Sequence, residues 1–411
     1  MYLRKANGLL GIGGWVSFLA ALITACSLQK THLPDPSLLT KPSALASRGW
    51  RPSVRERLET LLSQHAGSHL PVVFDFDNTI VCRDIGESTF ETLIAERFLS
   101  VDSLAKSIQA ALLLPNNPIP PSRRMNPVEY YAYMMNLTRH QTADPSPPLI
   151  SYAWLVEILA GLSPADIVYA TRKSYESGNA EPNQTASDRH VRLRPFFYPE
   201  ITELLSAFIK TGYDVWIVSA SNVWSVRWMV VKALNPKLKA MGAPEGIAPD
   251  HVIGISTLLR DRKGRFYKDP LLVQDNPSYA QLDEATLRAF TLTRQLSYPV
   301  SGYVGKAAAL WQWIGQKPYF VAGDTPSDHA MLEQATYKLW IARLEETNSQ
   351  KKTVEFINRR DPDSWLIQPT LTGIAPGFLP SLAALKARKV SPDVYEDSLT
   401  ILSNTPAFGT F

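Results

Sequence analysis

The fold of this chain is decided by residues 71–79, which have the sequence PVVFDFDNT. A short apolar run rich in valine is typical of a buried strand, and this one leads directly into Asp75 and Asp77. Because charges are unfavourable inside a core, we expect both acids at the carboxyl end of the strand, where α/β folds bind ligands. Carboxylates at i and i+2 on a bending chain can then take different roles, one as nucleophile and metal ligand, the other as general acid and base. A surface turn that contains two aspartates is the alternative from this stretch alone.

The composition is that of a globular protein. The chain has 411 residues, of which 45% are hydrophobic and 19% charged, enough for one large domain or two. Its formal net charge is only +4. We therefore expect no nucleic acid among its partners, because nucleic-acid-binding domains carry a strong basic excess.

The N-terminal residues have the pattern of an export signal. Arg4 and Lys5 precede an uncharged apolar run, residues 8–25, which ends in small residues before Cys26. Residues 1–25 are therefore predicted to be a signal peptide, and the ending ITAC resembles a bacterial lipobox, which implies lipidation of Cys26. An uncleaved membrane anchor is the alternative, because the apolar run is just long enough to span a bilayer.

Both alternatives tether the remaining chain to a membrane outside the cytoplasm. Ser27 after the lipidated cysteine favours the outer membrane, so we expect a lipid-anchored protein of the bacterial cell envelope. Residues 26–50 are rich in proline, serine and lysine and are predicted to be a flexible tether. Cys82 then has no partner for a disulfide, because the chain contains two cysteines in all.

A helical pattern follows the first predicted strand and covers residues 85–195. The predicted helices are 88–98, 103–113, 127–137, 149–162 and 164–178, with proline-rich breaks between some of them. We interpret this region as a helical cap inserted into an α/β core that comprises residues 51–84 and 196–345. Residues 346–411 are predicted to be an extension packed on that core, with no assigned role.

The second part of the predicted core alternates strands and helices. Predicted strands cover 213–218, 252–256, 318–323 and 337–341, predicted helices cover 53–64, 199–210 and 306–314, and a hairpin is predicted around Gly264. Alternating strands and helices imply a parallel sheet.

Polar residues recur where predicted strands end or the following helices begin. In a parallel sheet these positions converge on one edge. Carboxylates brought together there would repel without a cation, which predicts Mg²⁺, and a hydroxyl, an ammonium group and helix N-terminal amides would suit a phosphate. The positions are Asp75 with Asp77, Ser219, Lys306, and Asp324 with Asp328.

In this order the motifs resemble those of the haloacid dehalogenase-like (HAD) phosphohydrolases. They are DFDNT at 75–79, a strand that ends at Ser219, Gly305-Lys306, and GDTPSD at 323–328. The resemblance covers residues 51–344, and a helical insert after the first motif is similar to the phosphoserine-phosphatase-like branch. Within that branch the motifs are most similar to those of bacterial phosphorylcholine phosphatases, which are exported enzymes.

The resemblance implies catalytic and metal-binding roles. Asp75 is expected to attack phosphorus and form an aspartyl-phosphate, and Asp77 to protonate the leaving oxygen and then deprotonate the hydrolytic water. Mg²⁺ is expected to be held by the Asp75 carboxylate, the Asp77 backbone carbonyl and Asp324. Asp328 is expected to orient a metal-bound water or Lys306.

Further residues are expected to bind the phosphate or select the substrate. Ser219 and Lys306 would hold the phosphoryl oxygens. Thr79 would fix Asp77 and its loop, and Asn222 would face the phosphate or simply begin a helix. The candidates for substrate contacts are Asp84 and Glu87, which could equally cap the next helix, together with aromatic residues that could equally be core: Tyr130, Tyr131, Tyr133, Tyr152 and Trp154.

The sequence therefore predicts a membrane-tethered, Mg²⁺-dependent phosphomonoesterase that acts on small phosphorylated substrates. Phosphocholine-like esters are candidate substrates. A phosphotransferase of the same fold is one alternative. A non-catalytic, membrane-anchored binding lipoprotein is the other.

Overall fold

The computed structural model describes residues 44–99, 150–176, 195–373, 375–389 and 391–409, together with Tyr131, Met135 and Phe411. All of these belong to one unit, Ala44–Phe411. The predicted signal peptide, Cys26, most of the tether and the predicted helix 103–113 lie outside the described residues, as does nearly all of 127–137. Within the described ranges, no helix is both long and apolar enough to cross a membrane.

A seven-stranded sheet forms the centre of the fold, in the strand order β12-β11-β10-β9-β1-β4-β5. All neighbouring strands are parallel except β11 and β12. The strands of the protein are β1 (Pro71–Phe74), β2 (Val81–Cys82), β3 (Phe196–Phe197), β4 (Asp214–Asn222), β5 (Val252–Ile255), β6 (Thr257–Asp261), β7 (Phe266–Tyr267), β8 (Phe290–Leu296), β9 (Phe320–Gly323), β10 (Tyr337–Arg343), β11 (Trp365–Leu371) and β12 (Gly377–Phe378).

Strand β1 lies inside the sheet, paired with β4 on one side and β9 on the other. Its residues are fully buried because both faces of the sheet are covered. Val72 and Phe74 point into one hydrophobic cluster and Val73 into the other, as the two-residue period of a strand requires. The apolar run of residues 71–74 is therefore the buried strand that the sequence predicts.

Helices cover the sheet and build a layer beside its carboxyl edge. They are α1 (Pro52–Gln64), α2 (Ile85–Ala95), α3 (Ile150–Glu157), α4 (Pro164–Glu176), α5 (Pro199–Lys210), α6 (Val223–Trp228), α7 (Asn235–Ala240), α8 (Asp269–Asp275), α9 (Pro277–Ala280), α10 (Glu284–Leu287), α11 (Val304–Trp313), α12 (His329–Glu333), α13 (Thr347–Asn358), α14 (Leu382–Ala387) and α15 (Glu396–Ser403). A π-helical turn, Met229–Leu234, joins α6 to α7.

The predicted fold class, an α/β parallel sheet with inserted helices, is confirmed. Helices α2, α3 and α4 lie in sequence between β1 and β4, as predicted for the insertion. The exact limits of the cap stay a prediction, because most of 100–149 and all of 177–194 lie outside the described residues. The predicted hairpin is confirmed, with β6 and β7 paired antiparallel around Gly264, whose φ is +80°.

Two elements differ from the prediction. Strand β4 continues to Asn222, with an irregular register between Val218 and Asn222, whereas the sequence predicted its end at residue 218. In the C-terminal part, β11 pairs in parallel with β10 and is buried along its whole length. Part of the predicted surface extension is thus an inner strand of the sheet, next to the edge strand β12.

Candidate active site

A cavity of about 410 Å³ opens at the carboxyl edge of the sheet. Its walls come from the ends of β4 and β10, from the segments after β1, β2, β9, β10 and β11, and from helices α2, α3 and α11. Among the residues that line it are Asp75, Asp77, Ser221, Lys306, Asp324 and Arg343. The predicted convergence of polar residues on one edge is therefore what the structure shows.

Asp75 follows β1 directly and is 5% exposed. One carboxylate oxygen, Oδ1, lies 2.5 Å from Lys306 Nζ, and the other, Oδ2, accepts a hydrogen bond of 3.1 Å from Thr79 Oγ1. Burial raises the pKa of Asp75 to about 6, with Asp328 adding to the shift and Lys306 opposing it. The group is consequently ionised at neutral pH and weakly solvated, as a nucleophile should be.

Asp77 has a different environment from Asp75. Its Oδ2 accepts hydrogen bonds from Ser221 Oγ at 2.6 Å and from Ser219 Oγ at 3.3 Å. Its Oδ1 accepts from the backbone N–H of Ile85, at the start of α2, at 2.7 Å. Burial, followed by the charge of Asp84, raises the pKa of Asp77 well above its usual value. A carboxyl group in this setting is able to carry a proton at neutral pH.

Lys306 and Asp328 form the next part of the site. Lys306 lies in the first turn of α11, and its Nζ lies 2.6 Å from Asp328 Oδ1 as well as close to Asp75. Asp328 Oδ2 accepts hydrogen bonds from the backbone N–H groups of Asp324 and Thr325. Burial opposes the charge of Lys306, but the two carboxylates raise its pKa above the usual value. Asp328 therefore contacts Lys306 directly, as one of the two roles expected for it requires.

Three of these buried carboxylates could hold a metal ion. Oxygen atoms of Asp75, Asp324 and Asp328 all lie within 4.8 Å of one another. Asp324 Oδ2 is buried without a hydrogen-bond donor among the described residues, and burial raises the Asp324 pKa well above its usual value despite the nearby Arg343. Hard oxygen ligands and an unsatisfied buried carboxylate fit Mg²⁺. Asp77 is expected to bind the ion through its backbone carbonyl, and its carboxylate accepts hydrogen bonds from two serines and Ile85.

Several predicted phosphate contacts need correction. Thr79 is fully buried and donates to Asp75, not to Asp77. Asn222 caps α6 by accepting from the Ser225 N–H at 2.9 Å, so the structure shows the expected alternative, a helix start. Ser219 is also fully buried, whereas Ser221 lines the cavity. Both serines donate to Asp77, and of these two only Ser221 lines the cavity.

The side of the cavity formed by helices carries acidic and aromatic residues. Asp84 and Glu87 both line it, and Asp84 Oδ1 also caps α2 by accepting from the Glu87 N–H at 2.8 Å. Tyr152 lines the cavity too. Tyr131 and Trp154 are instead core residues that stack on each other, with ring centroids 6.4 Å apart. Tyr130 and Tyr133 lie outside the described residues.

Sequence reasoning missed part of the site. Arg343 ends β10, and its Nε lies 2.8 Å from Asp324 Oδ2. Arg83 and Glu345 line the same cavity. The backbone of Arg83 is in the left-handed region (φ 81°), and its side chain donates a hydrogen bond to the carbonyl oxygen of Thr372. A signal existed for Arg343, because it is a charged residue at the carboxyl end of a predicted strand, like Asp75 and Asp324.

The site residues and their order along the chain resemble those of HAD-like phosphatases, the class that the motifs predicted. The chain is 24% identical to the phosphorylcholine phosphatase of Pseudomonas aeruginosa over 327 residues, which cover 77% of this chain and 85% of that enzyme. The predicted resemblance to this group is confirmed. No protein-family model matches the chain.

Solved structures support the fold alone. A protein of unknown function from Anaerococcus prevotii has a TM-score of 0.52 and 15% identity, with 83% of this chain and 98% of that one covered. A phosphoserine phosphohydrolase-like protein from Francisella tularensis covers 77% of this chain and 98% of its own at 14% identity. The TM-score of this comparison is 0.34.

Proposed function

We propose that this protein hydrolyses small phosphate monoesters through an aspartyl-phosphate on Asp75. The observation that carries this proposal is the contrast between two neighbouring buried carboxyl groups in one cavity. Asp75 lies against a lysine and has a pKa of about 6, whereas Asp77 lies against two serines and has a pKa well above its usual value. Environments that separate the pKa values of two acids in this way assign one acid as nucleophile and the other as general acid.

In the first step, a carboxylate oxygen of Asp75 attacks phosphorus as the bond to the ester oxygen breaks. The protonated Asp77 gives its proton to that leaving oxygen, so that a neutral alcohol departs. In the second step, Asp77, now ionised, takes a proton from a water molecule that attacks the phosphorus of the aspartyl-phosphate. Phosphate is released, Asp75 is restored as a carboxylate and Asp77 is again protonated.

Other residues of the cavity position and neutralise the phosphoryl group. Lys306 lies beside the Asp75 oxygen and brings a positive charge to the place where phosphoryl oxygens would lie. The Ser221 hydroxyl lines the cavity and holds Asp77 for proton transfer. Thr79 fixes the second oxygen of Asp75, which leaves the carboxylate a single orientation.

The metal that suits the site is Mg²⁺, held by Asp75 and Asp324 with Asp328 beside them. When bound, it would supply positive charge that offsets the phosphoryl oxygens. The support is the buried cluster of carboxylate oxygens and the unsatisfied Asp324 Oδ2.

Phosphocholine-like esters are the substrates that the cavity suits best. Asp84, Glu87 and Tyr152 line the side of the cavity formed by helices. Carboxylates and an aromatic ring attract a quaternary ammonium group. The relative from Pseudomonas aeruginosa is named for the same ester.

The central test is Asp75→Asn, with phosphate release measured from 4-nitrophenyl phosphate, phosphocholine, phosphoethanolamine, phosphoserine and a sugar phosphate, each with and without EDTA. We expect no turnover by the variant, an unchanged circular dichroism spectrum and loss of wild-type activity in EDTA. Retained turnover in the variant would contradict the proposal. Phosphoryl transfer to an added alcohol in place of water would identify a phosphotransferase, and no phosphate release by the wild type would identify a binding protein.

The lipid anchor remains a separate proposal. Cys26 lies outside the described residues, so its support is the basic, apolar and small-residue order of residues 1–26. Labelling of bacterial cultures with a fatty-acid analogue, followed by membrane fractionation, should tag the wild type and not Cys26→Ala. An unlabelled wild type would contradict lipidation, and a labelled protein in the inner-membrane fraction would contradict the expected outer-membrane location.

A further inference from the structure

Arg343 and Asp324 form a buried ion pair at the ends of two neighbouring strands. Asp324 follows β9 and is 2% exposed, and Arg343 ends β10. The two strands are parallel neighbours, with Trp340 opposite Gly323. Arg343 Nε lies 2.8 Å from Asp324 Oδ2, so a guanidinium charge is close to a carboxylate of the candidate metal site.

The two contact atoms of this pair form no aligned hydrogen bond with each other. Neither Arg343 Nε nor Asp324 Oδ2 has an aligned hydrogen-bond partner in the part of the chain that the structure describes. The contact between them is therefore mainly one of charge. Two buried polar atoms in this state are rare in folded proteins and suggest that another ligand belongs there.

The distribution of charge gives Arg343 a specific task. Lys306 lies against Asp75 and Asp328, and Arg343 is the cation beside Asp324. A divalent ion bound to the Asp324 carboxylate would lie close to the guanidinium, and like charges repel strongly where water is excluded. Arg343 and the metal ion thus compete for one carboxylate.

We propose that Arg343 is a positioning residue that substitutes for the metal ion at Asp324. It holds the carboxylate in place while the metal is absent, and it weakens metal binding so that the ion exchanges readily. This inference rests on the proposed metal site. The main-chain role of Arg343 is separate, because its carbonyl accepts a hydrogen bond from Gln350 Nε2 whatever the side chain is.

The test compares wild type with Arg343→Met, which removes the charge, and Arg343→Lys, which keeps it. Mg²⁺ binding is measured by isothermal titration calorimetry, and thermal unfolding is measured in EDTA and in saturating Mg²⁺. The matched control is Arg227→Met, because Arg227 forms a buried pair with Asp269 whose Nη2–Oδ2 distance is 2.6 Å and which lies outside the catalytic cluster.

For Arg343→Met we expect Mg²⁺ to bind at least about tenfold more tightly, because a repelling charge has been removed. Its Tm should fall in EDTA, and Mg²⁺ should raise that Tm by more than it raises the wild-type Tm. Arg343→Lys should bind Mg²⁺ nearly as wild type does. Arg227→Met should lose stability in EDTA but respond to Mg²⁺ like the wild type.

Three results would overturn the inference. Weaker Mg²⁺ binding by Arg343→Met would show that the guanidinium orients the ligand instead of competing with the metal. Unchanged binding with a Mg²⁺-independent loss of Tm would show a purely structural role. A wild type that binds no Mg²⁺ would overturn the metal site as well, and phosphate release measured in EDTA would then show whether the proposed hydrolysis also fails.

Discussion

Two buried Arg–Asp pairs in this molecule differ in how completely their polar atoms are satisfied. Arg227 and Asp269 share two hydrogen bonds, of 3.1 and 2.6 Å, and Tyr279 adds a third to Asp269 Oδ1 at 2.6 Å. Arg343 and Asp324 lie equally close but have no aligned hydrogen bond at the contact atoms. The first pair has every feature of a structural element, and the second lies in a cavity with other acids.

This difference indicates which buried polar network is structural and which one is available to a ligand. A saturated network stabilises one conformation and leaves nothing for a ligand. An unsaturated one keeps a charge ready for a ligand, at some expense in stability. We therefore expect changes in the saturated network to affect folding and changes in the cavity to affect turnover, and the predictions below test this division.

The largest effect is expected for Asp77→Asn, a change in the cavity. An amide has no proton to give to a leaving oxygen and cannot deprotonate water, so kcat on an alkyl phosphate such as phosphocholine should fall about 10²- to 10⁴-fold. With 4-nitrophenyl phosphate, whose leaving group needs no proton, stopped-flow kinetics should show a burst of one equivalent of 4-nitrophenolate, followed by slow turnover. The Tm should not fall. Wild-type turnover of both esters would remove Asp77 from the mechanism.

A change in the saturated pair should have the opposite signature. Asp269→Asn leaves the Arg227 guanidinium buried without its counter-charge, so the free energy of unfolding should fall by about 3–5 kcal/mol in urea denaturation. Turnover by the folded protein at low temperature should be unchanged. The matched control is Glu284→Gln, which breaks an exposed pair with Arg288 and should leave stability within error. A large loss of kcat in Asp269→Asn with intact stability would break the division.

The sequence predicted the parts of the site that stand at the ends of apolar strands. Asp75 and Asp324 each follow a run of buried residues, which fixes both their strand and their edge of the sheet. The contact between Asp324 and Arg343 was not predictable in the same way. It depends on the register of β9 against β10, which sequence periodicity does not encode.

Two further differences between the predicted and the observed structure have local causes. Strand β11 was not predicted because Gln368 and Pro369 interrupt its apolar pattern, although both are buried in the sheet. There the Gln368 side chain binds the Arg51 N–H at 2.9 Å, a contact between distant parts of the chain. Of Ser219 and Ser221 only Ser221 lines the cavity, and the sequence does not reveal this or the irregular register of β4 between Val218 and Asn222.

A smaller effect is expected for Ser221→Ala, which removes one of the hydrogen bonds that Asp77 accepts. The lost 2.6 Å hydrogen bond favours the ionised form of Asp77, so its removal should raise the pKa of Asp77 further. The alkaline limb of the pH–rate profile should move to higher pH, and kcat should fall by roughly tenfold because Asp77 is held less firmly. The control is Ser206→Ala, since Ser206 Oγ has no hydrogen-bond partner among the described residues. A shift of the limb to lower pH would contradict the assignment.

The smallest and most selective effect is expected for Glu87→Gln, in the first turn of α2 at the cavity wall. Loss of one negative charge near a partly solvated site should raise the KM for phosphocholine by about 2- to 10-fold, because a cationic leaving group loses part of its attraction. The KM for 4-nitrophenyl phosphate, which lacks the cation, should stay constant, and so should kcat for both esters. Equal changes in KM for the two esters would show that Glu87 acts on the phosphoryl group or on the fold. The cavity wall would then not select the cation. The separation between residues that stabilise the fold and residues that serve the reaction would hold for catalysis but not for substrate choice.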